Sequence, residues 1–311
     1  MNRYLPEGSY ISRPENREAL ATAETLERAL ERGDILEAVA RVCDSELTLH
    51  FTLGGMPGVM PREEVQYLQE GEEPKDIAVL TRVGKPVCFK VVGFTRCDDG
   101  QVAAVLSRRA AQMECMESYI AGLIPGDIVP AKVTHMESFG AFVDIGCGIV
   151  SLLSIDCISV SRISHPSDRF SVGDRIFTVI RRIDSEGRIY VTHRELLGTW
   201  EENAALFSPG ETVIGTVRSI ETYGIFVELL PNLAGLAEPR GGVEVGDTAA
   251  VYIKSILPEK MKIKLIVIDT EKAPPCKEFR YFVDTASCEH LSHWVYSPEE
   301  AAKRIETSFQ E

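Results

Sequence analysis

The sequence predicts a mainly β protein made of three small five-stranded barrels in series, with short helical connections and helical termini. Three observations carry this. Residues 132–145, KVTHMESFGAFVDI, and 216–229, TVRSIETYGIFVEL, agree position by position: Phe139 with Tyr223, Gly140 with Gly224, Phe142 with Phe226, Asp144 with Glu228. A repeat of this kind makes the module, rather than the chain, the unit to be understood. Second, three segments open on glycine and an acid (Gly33-Asp34, Gly126-Asp127, Gly210-Glu211) and later contain a Val-Gly step (Val83-Gly84, Val172-Gly173, Val245-Gly246). Third, each closes on a short alternating strand: VAAVLS at 102–107, RIYVT at 188–192 and KIKLI at 262–266. Short strands punctuated by turn residues at regular intervals predict small barrels rather than one broad sheet.

The elements follow in order. Residues 1–32 form a helical extension: Ser12 and Glu15 have capping-box spacing, Pro14 suits a first turn, and Ala19, Ala23, Leu26 and Leu30 make an apolar stripe ended by Gly33. Barrels are expected over 33–122, 123–199 and 200–270. Thr199–Phe207 reads as a short helix between the second and third. The second barrel carries an extra segment, Ile155–Phe170, whose Ser, Arg and His content suggests a solvent-facing loop with a function of its own. Ala273-Pro274-Pro275 reads as a linker. The tail, 271–311, offers aromatics that pack on a barrel, and Ser297-Pro298 with Glu300 signals a last short helix.

Composition narrows the chemistry. The chain has 311 residues, a 44% hydrophobic fraction and a formal charge of −14. No apolar run approaches a membrane span, and the first residues lack the apolar core of a secretory signal, so a cytoplasmic protein is expected. Eight cysteines without a CxxC pair suggest reduced thiols. Cys276, Cys288, His290 and His293 carry metal-ligating side chains. Their spacing lacks the paired short gaps of structural zinc sites, so no metal or cofactor is expected. Walker, GxSxG and HExxH signatures are missing, and the carboxylates are unclustered, which argues against an enzyme. An acidic chain is an awkward polyanion binder. Residues 123–199, however, are nearly neutral, with eight basic and nine acidic side chains, so that module is the candidate for any polyanion contact.

FGAF at 139–142 and YGIF at 223–226, each inside a glycine-initiated repeat, resemble the S1-type RNA-binding domain, an OB-fold. The resemblance covers about residues 33–270 and is degenerate in the first module. The GTWEEN segment between repeats and the YSP tail are similar to short S1-like proteins of Gram-positive anaerobes. Exposed aromatics on such a barrel stack bases without regard to sequence, at about 1–3 kcal/mol each. The glycine between them lets either a ligand or a neighbouring strand come close. The family's RNA face joins the two aromatics to a histidine and to an Asp and Arg four apart. The resemblance therefore implies Phe139, Phe142, Asp184 and Arg188 as contacts, with Ser154 standing where the histidine is expected. Lys132, His135, Arg162, Arg175, Arg181, Arg182 and Arg194 offer a basic rim, although strand alternation lets only one of Arg181 and Arg182 face a given side. In the third module Tyr223, Phe226 and Lys262 correspond, but Glu238 replaces the histidine and Pro258 the aspartate, which implies weaker binding. The first module has SELTLHF in place of the aromatic motif and Ala103 in place of the arginine, and reads as a structural or protein-contact domain. Single-stranded RNA, messenger or ribosomal, is thus the expected partner, with translation or the ribosome as the implied setting and neither membrane nor small-molecule substrate. The competing expectation is a scaffold of acidic barrels that contacts a ribosomal or RNA-degrading protein.

Overall fold

The computed structural model describes residues 3–68, 74–97, 100–272 and 278–309. Its order begins α1 (Pro14–Leu20), α2 (Ala23–Arg32), β1 (Leu36–Cys43), β2 (Leu49–Thr52), β3 (Pro57–Met60), α3 (Asp76–Leu80), β4 (Pro86–Arg96), β5 (Val102–Ser107) and α4 (Arg108–Ser118). The second module holds β6 (Ile128–Glu137), β7 (Gly140–Asp144), β8 (Val150–Ser154), β9 (Arg175–Ile183) and β10 (Ile189–Thr192), followed by α5 (Trp200–Ala204). The third holds β11 (Thr212–Glu221), β12 (Gly224–Leu230), β13 (Leu233–Ala237), β14 (Thr248–Leu257) and β15 (Lys262–Glu271), and the tail holds β16 (His293–Val295) and β17 (Glu306–Ser308).

Each module closes as a five-stranded barrel with the same path, β1-β2-β3-β5-β4 in the first and its counterparts in the others. Four neighbours are antiparallel and the closing pair is parallel: Gly58 faces Ala104, Leu152 faces Tyr190, and Leu236 faces Lys264. This is the OB topology. The glycine between the motif aromatics is explained by the fold. A Cβ on Gly140 would stand 2.5 Å from the Leu153 carbonyl, and one on Gly224 would stand 2.6 Å from that of Ala237. The missing side chain lets β7 and β12 lie against their neighbouring strands, so of the two uses expected for it the structure assigns the strand contact.

Two compact units contain these modules: residues 1–123 with 144–150, and residues 124–143 with 151–311. In the first, the apolar stripe of α2 buries Leu26 and Ala29 against a core that includes Phe51, Met60, Phe89 and Leu106. The expected single N-terminal helix is two. Thr22 caps α2 through a reciprocal bond with Thr25, and the backbone at the break lies against the β2–β3 turn, where a Cβ on Gly55 would come within 2.7 Å of the Thr22 Cα. Ser12 does not cap α1, whose N-cap is Arg13. Gly33 ends α2 in the left-handed conformation, as expected. Also in this unit, Arg108 (4% exposed) forms an ion pair with Glu7 at 2.7 Å. Asp144 accepts the Glu7, Gly146 and Gly148 amides.

In the second unit, the segment 155–170 differs from the solvent-facing loop expected. Cys157, Ile158, Arg169 and Phe170 are buried. Arg169 makes a two-pronged ion pair with Glu228 of β12, at 2.7 and 2.9 Å. Arg218 of β11 holds the same carboxylate at 3.0 Å. Asn232, fully buried, accepts the Val160 amide and donates to the Arg194 and Gly198 carbonyls. The segment is therefore a packed joint between the second and third barrels. α5 sits where expected, with a Thr199–Glu202 capping box. The tail aromatics pack: Phe279 and Tyr281 close around Phe170 and His193, and Trp294 and Tyr296 join the core of the third barrel. Ser297-Pro298 starts a turn instead of the expected helix. The Ser297 hydroxyl accepts the Ile305 amide, and the chain returns as β17 against β16. The expected Ala273-Pro274-Pro275 linker and Cys276 lie outside the described residues. No helix among the described residues is long and apolar enough to cross a membrane.

Candidate nucleic-acid interface

The β6–β7 turn lifts Phe139 into solvent, 54% exposed. Phe142, half-buried on β7, meets it edge-on at 6.0 Å between ring centroids. The His135 ring of β6 stacks on Phe142 at 6.1 Å and 20°. Three of the predicted residues thus make one exposed π-surface. His135 also bonds Glu137 at 2.7 Å, so it adds ring area more than free charge.

Asp184 and Arg188 are brought together by the turn from β9 to β10. Asp184 is first a brace for that turn: its carboxylate accepts the Arg188 amide at 2.8 Å and the Glu186 amide at 3.0 Å. These donors, with the Arg188 amide foremost, hold its carboxyl below the usual range. The Arg188 side chain is exposed and pairs with Glu186.

Tyr190 was missed by sequence reasoning. It stands on β10 two residues after Arg188, and its hydroxyl lies 3.3 Å from the Asp184 carboxylate that accepts the Arg188 amide. Across the barrel it faces Leu152 on one side and Arg182 on the other. The Arg182 guanidinium sits over its ring at 3.7 Å. The detectable signal was the alternation of RIYVT, which pairs an aromatic with the predicted arginine.

The remaining predicted residues lie apart from this surface or beside it. Lys132 is in register with Arg175 lower on β6 and β9. Arg162 is exposed on the joint segment. In the third barrel Tyr223 is 64% exposed and meets Phe226 at 6.1 Å and 90°, the geometry of Phe139 and Phe142 over again. Glu238 stands at the end of β13 with Lys254 at 3.9 Å, and Lys262 is exposed at the start of β15. The first barrel buries its corresponding aromatic: Phe51 packs on Phe89 at 5.7 Å. In the tail, His290 pairs with Asp127 and His293 with Glu306.

An OB barrel with paired aromatics on its second strand now has a named counterpart. Residues 123–194 match the S1 RNA binding domain. The chain resembles small ribosomal subunit protein bS1. It is 28% identical over 222 residues to bS1 of Leuconostoc lactis, covering 66% of this chain and 52% of that protein. It is also 28% identical over 278 residues to the bS1 homolog of Bacillus subtilis (strain 168), covering 83% and 69%. The chain thus spans about half the length of several bS1 proteins it matches, 41% in Rhizobium meliloti. Among solved structures, a multidomain protein with nucleic acid binding domains from Streptococcus pneumoniae TIGR4 is similar at 15% identity and a TM-score of 0.25, covering 76% of this chain and 74% of that one. GSP13 from Bacillus subtilis is similar at 23% identity and a TM-score of 0.24, over 28% and 73%. The S1 match falls on the barrel that carries the π-surface, and the second barrel is accordingly called the S1 barrel below.

Proposed function

We propose that this chain is a non-enzymatic, cytoplasmic protein that binds single-stranded RNA through the S1 barrel and works in translation, on messenger or ribosomal RNA. The observation that carries the reading is the π-surface of Phe139, Phe142 and His135, with Tyr190 half-exposed on β10 of the same barrel. Single-stranded bases have π-faces to offer it, whereas a duplex keeps its bases stacked inside. Arg188 and Arg182 stand beside the rings to meet phosphates, and Lys132 and Arg162 extend the basic rim. The setting in translation is supported by the likeness to bS1 and the match to the S1 RNA binding domain. The third barrel, through Tyr223, Phe226 and Lys262, gives a second and weaker contact.

The test is a fluorescence-anisotropy titration of labelled single-stranded RNA with the wild type and with Phe139→Ala, Tyr190→Ala and Tyr223→Ala. Each S1-barrel variant is expected to lose about 1–3 kcal/mol of binding, roughly five- to 150-fold, and Tyr223→Ala less. Binding that is indifferent to both Phe139→Ala and Tyr190→Ala would remove the S1 barrel as the site. No binding by the wild type at low salt would leave the acidic scaffold as the better account.

A further inference from the structure

On the same barrel as the π-surface, β9 and the turn after β10 border a cleft of 510 Å³ lined by Arg181, Arg182, Arg194, Glu306, Thr307 and Ser308. Consecutive arginines on a regular strand point to opposite faces. Here they do not, because the strand is bulged. Tyr190 pairs with Arg182 but Val191 pairs with Ile180, which leaves Arg181 as the extra residue and turns both guanidinium groups to one side. The far wall is the tail strand β17, docked so that the Arg194 guanidinium donates to Thr307 at 3.2 Å.

The charges in the cleft are unevenly answered. Arg194 is answered by Glu195, a buried carboxylate at 3.2 Å that also accepts from Thr192 and Thr307. Glu306 is held by Arg304 at 3.0 Å and His293 at 3.3 Å. Arg181 instead donates to the Cys157 sulfur at 3.0 Å, a weak acceptor. Arg182 rests on the Tyr190 ring. Among the described residues neither of these two guanidinium groups has a carboxylate ion pair, and the other wall of the cleft carries the exposed hydroxyl of Ser308, that of Thr307 being donated to Glu195. Planar arginine forks and hydroxyl donors are the groups that bind phosphate oxygens.

We propose that this cleft binds a phosphate of the RNA strand whose bases stack on Phe139, Phe142 and Tyr190, so that the C-terminal tail forms one wall of the RNA path. The inference rests on the RNA-binding reading of the S1 barrel. Arg182 joins the two sites, since one guanidinium both covers the Tyr190 ring and lines the cleft.

The experiment measures the affinity of the full chain for a short oligouridine, with a 5′-hydroxyl or a 5′-phosphate end, over a series of salt concentrations. Arg181→Ala and Ser308→Glu change exposed side chains, one removing a cation and the other adding a carboxylate from the tail. Both are expected to weaken binding severalfold and to lower the slope of log K against log salt by about 0.7, the value of one phosphate contact on a single strand. Phe139→Ala is expected to weaken binding with its slope unchanged. A reduced slope with the 5′-hydroxyl RNA places an internal phosphodiester in the cleft, and one confined to the 5′-phosphorylated RNA places the terminal phosphate there. Wild-type affinity and slope in both cleft variants would overturn the cleft while leaving RNA binding intact. A wild type that binds no RNA would overturn both.

Discussion

His193 shows how a residue that looks chemical in a sequence is fixed by its surroundings. It is fully buried, ringed by Phe170, Phe279 and Tyr281. Its Nδ1 lies 3.0 Å from the Ile158 carbonyl, and its Nε2 lies 3.3 Å from the Tyr281 hydroxyl, which itself accepts the Phe177 amide. That arrangement suits one neutral tautomer, with Nδ1 donating and Nε2 accepting. Burial pushes its pKa down to about 4 from an ordinary 6.5. In the window between those values the unfolded chain takes up a proton that the folded one refuses. The stability His193 contributes is therefore complete above about pH 6.5 and lost as pH falls through about 4, by roughly 3 kcal/mol at most. Glu37 and Asp144, which burial pushes up to about 7, add stability as pH falls over the same range, so His193 is read from the difference between wild type and variant in urea unfolding at pH 7.5 and pH 5. His193→Phe should be less stable at pH 7.5, by about 1–3 kcal/mol for the unpaired Ile158 carbonyl and Tyr281 hydroxyl, and the gap should narrow on acidification. Equal pH trends for the two proteins would disprove the assignment. The same contrast separates legible from illegible residues in the site. Phe139 and Arg188 were readable because a motif singles them out, whereas Tyr190 is an ordinary strand residue until the barrel closes beside it.

At the scale of elements, strands were legible and joints were not. The closing strands VAAVLS, RIYVT and KIKLI fall on β5, β10 and β15 because alternation is a local property. The bulge at Arg181, the break between α1 and α2 and the packing of residues 155–170 all depend on partners distant in sequence. Asp144 and Glu228 illustrate the point. They occupy one position of the repeat, and both are buried acceptors: Asp144 takes three backbone amides, and Glu228 takes Arg169 and Arg218. Burial alone would raise the Glu228 pKa, but hydrogen bonding and charge from the two arginines hold it low. Removing the shared anion leaves Arg169 without a carboxylate and Arg218 with Asp168 alone at 3.8 Å, whereas removing one cation leaves the anion paired. Glu228→Gln should thus cost roughly 3–5 kcal/mol in guanidinium unfolding, and Arg169→Met distinctly less, since Arg218 remains. If Arg169→Met proved the costlier change, the carboxylate would not be the centre of this joint.

Across the whole molecule, three barrels of one topology have been given different surfaces. The repeat made the barrel count readable, and the loss of the aromatic motif in the first barrel goes with a buried Phe51 in place of an exposed ring. The second and third share one ring pair in distance and angle and differ around it: the second adds His135 and Tyr190, and the third adds Glu238. Glu238 faces strands that carry Lys254 and Lys262, and its contact with Lys254 is exposed on both sides, 57% and 82%. An exposed pair of that kind contributes little stability and neutralises the carboxylate only in part, so Glu238 opposes a phosphate on that face by up to about 1 kcal/mol at contact in water. The Phe139→Ala background weakens the S1 barrel and leaves the third barrel to be measured. In it, Glu238→Gln should raise RNA affinity by up to about fivefold at low salt, with the gain shrinking as the Debye length falls. A further Tyr223→Ala should abolish that gain, because repulsion relieved at a face matters only while the face binds. An affinity unmoved by Glu238→Gln at low salt would mean that the third barrel contributes no contact, and that its preserved aromatics serve the fold alone.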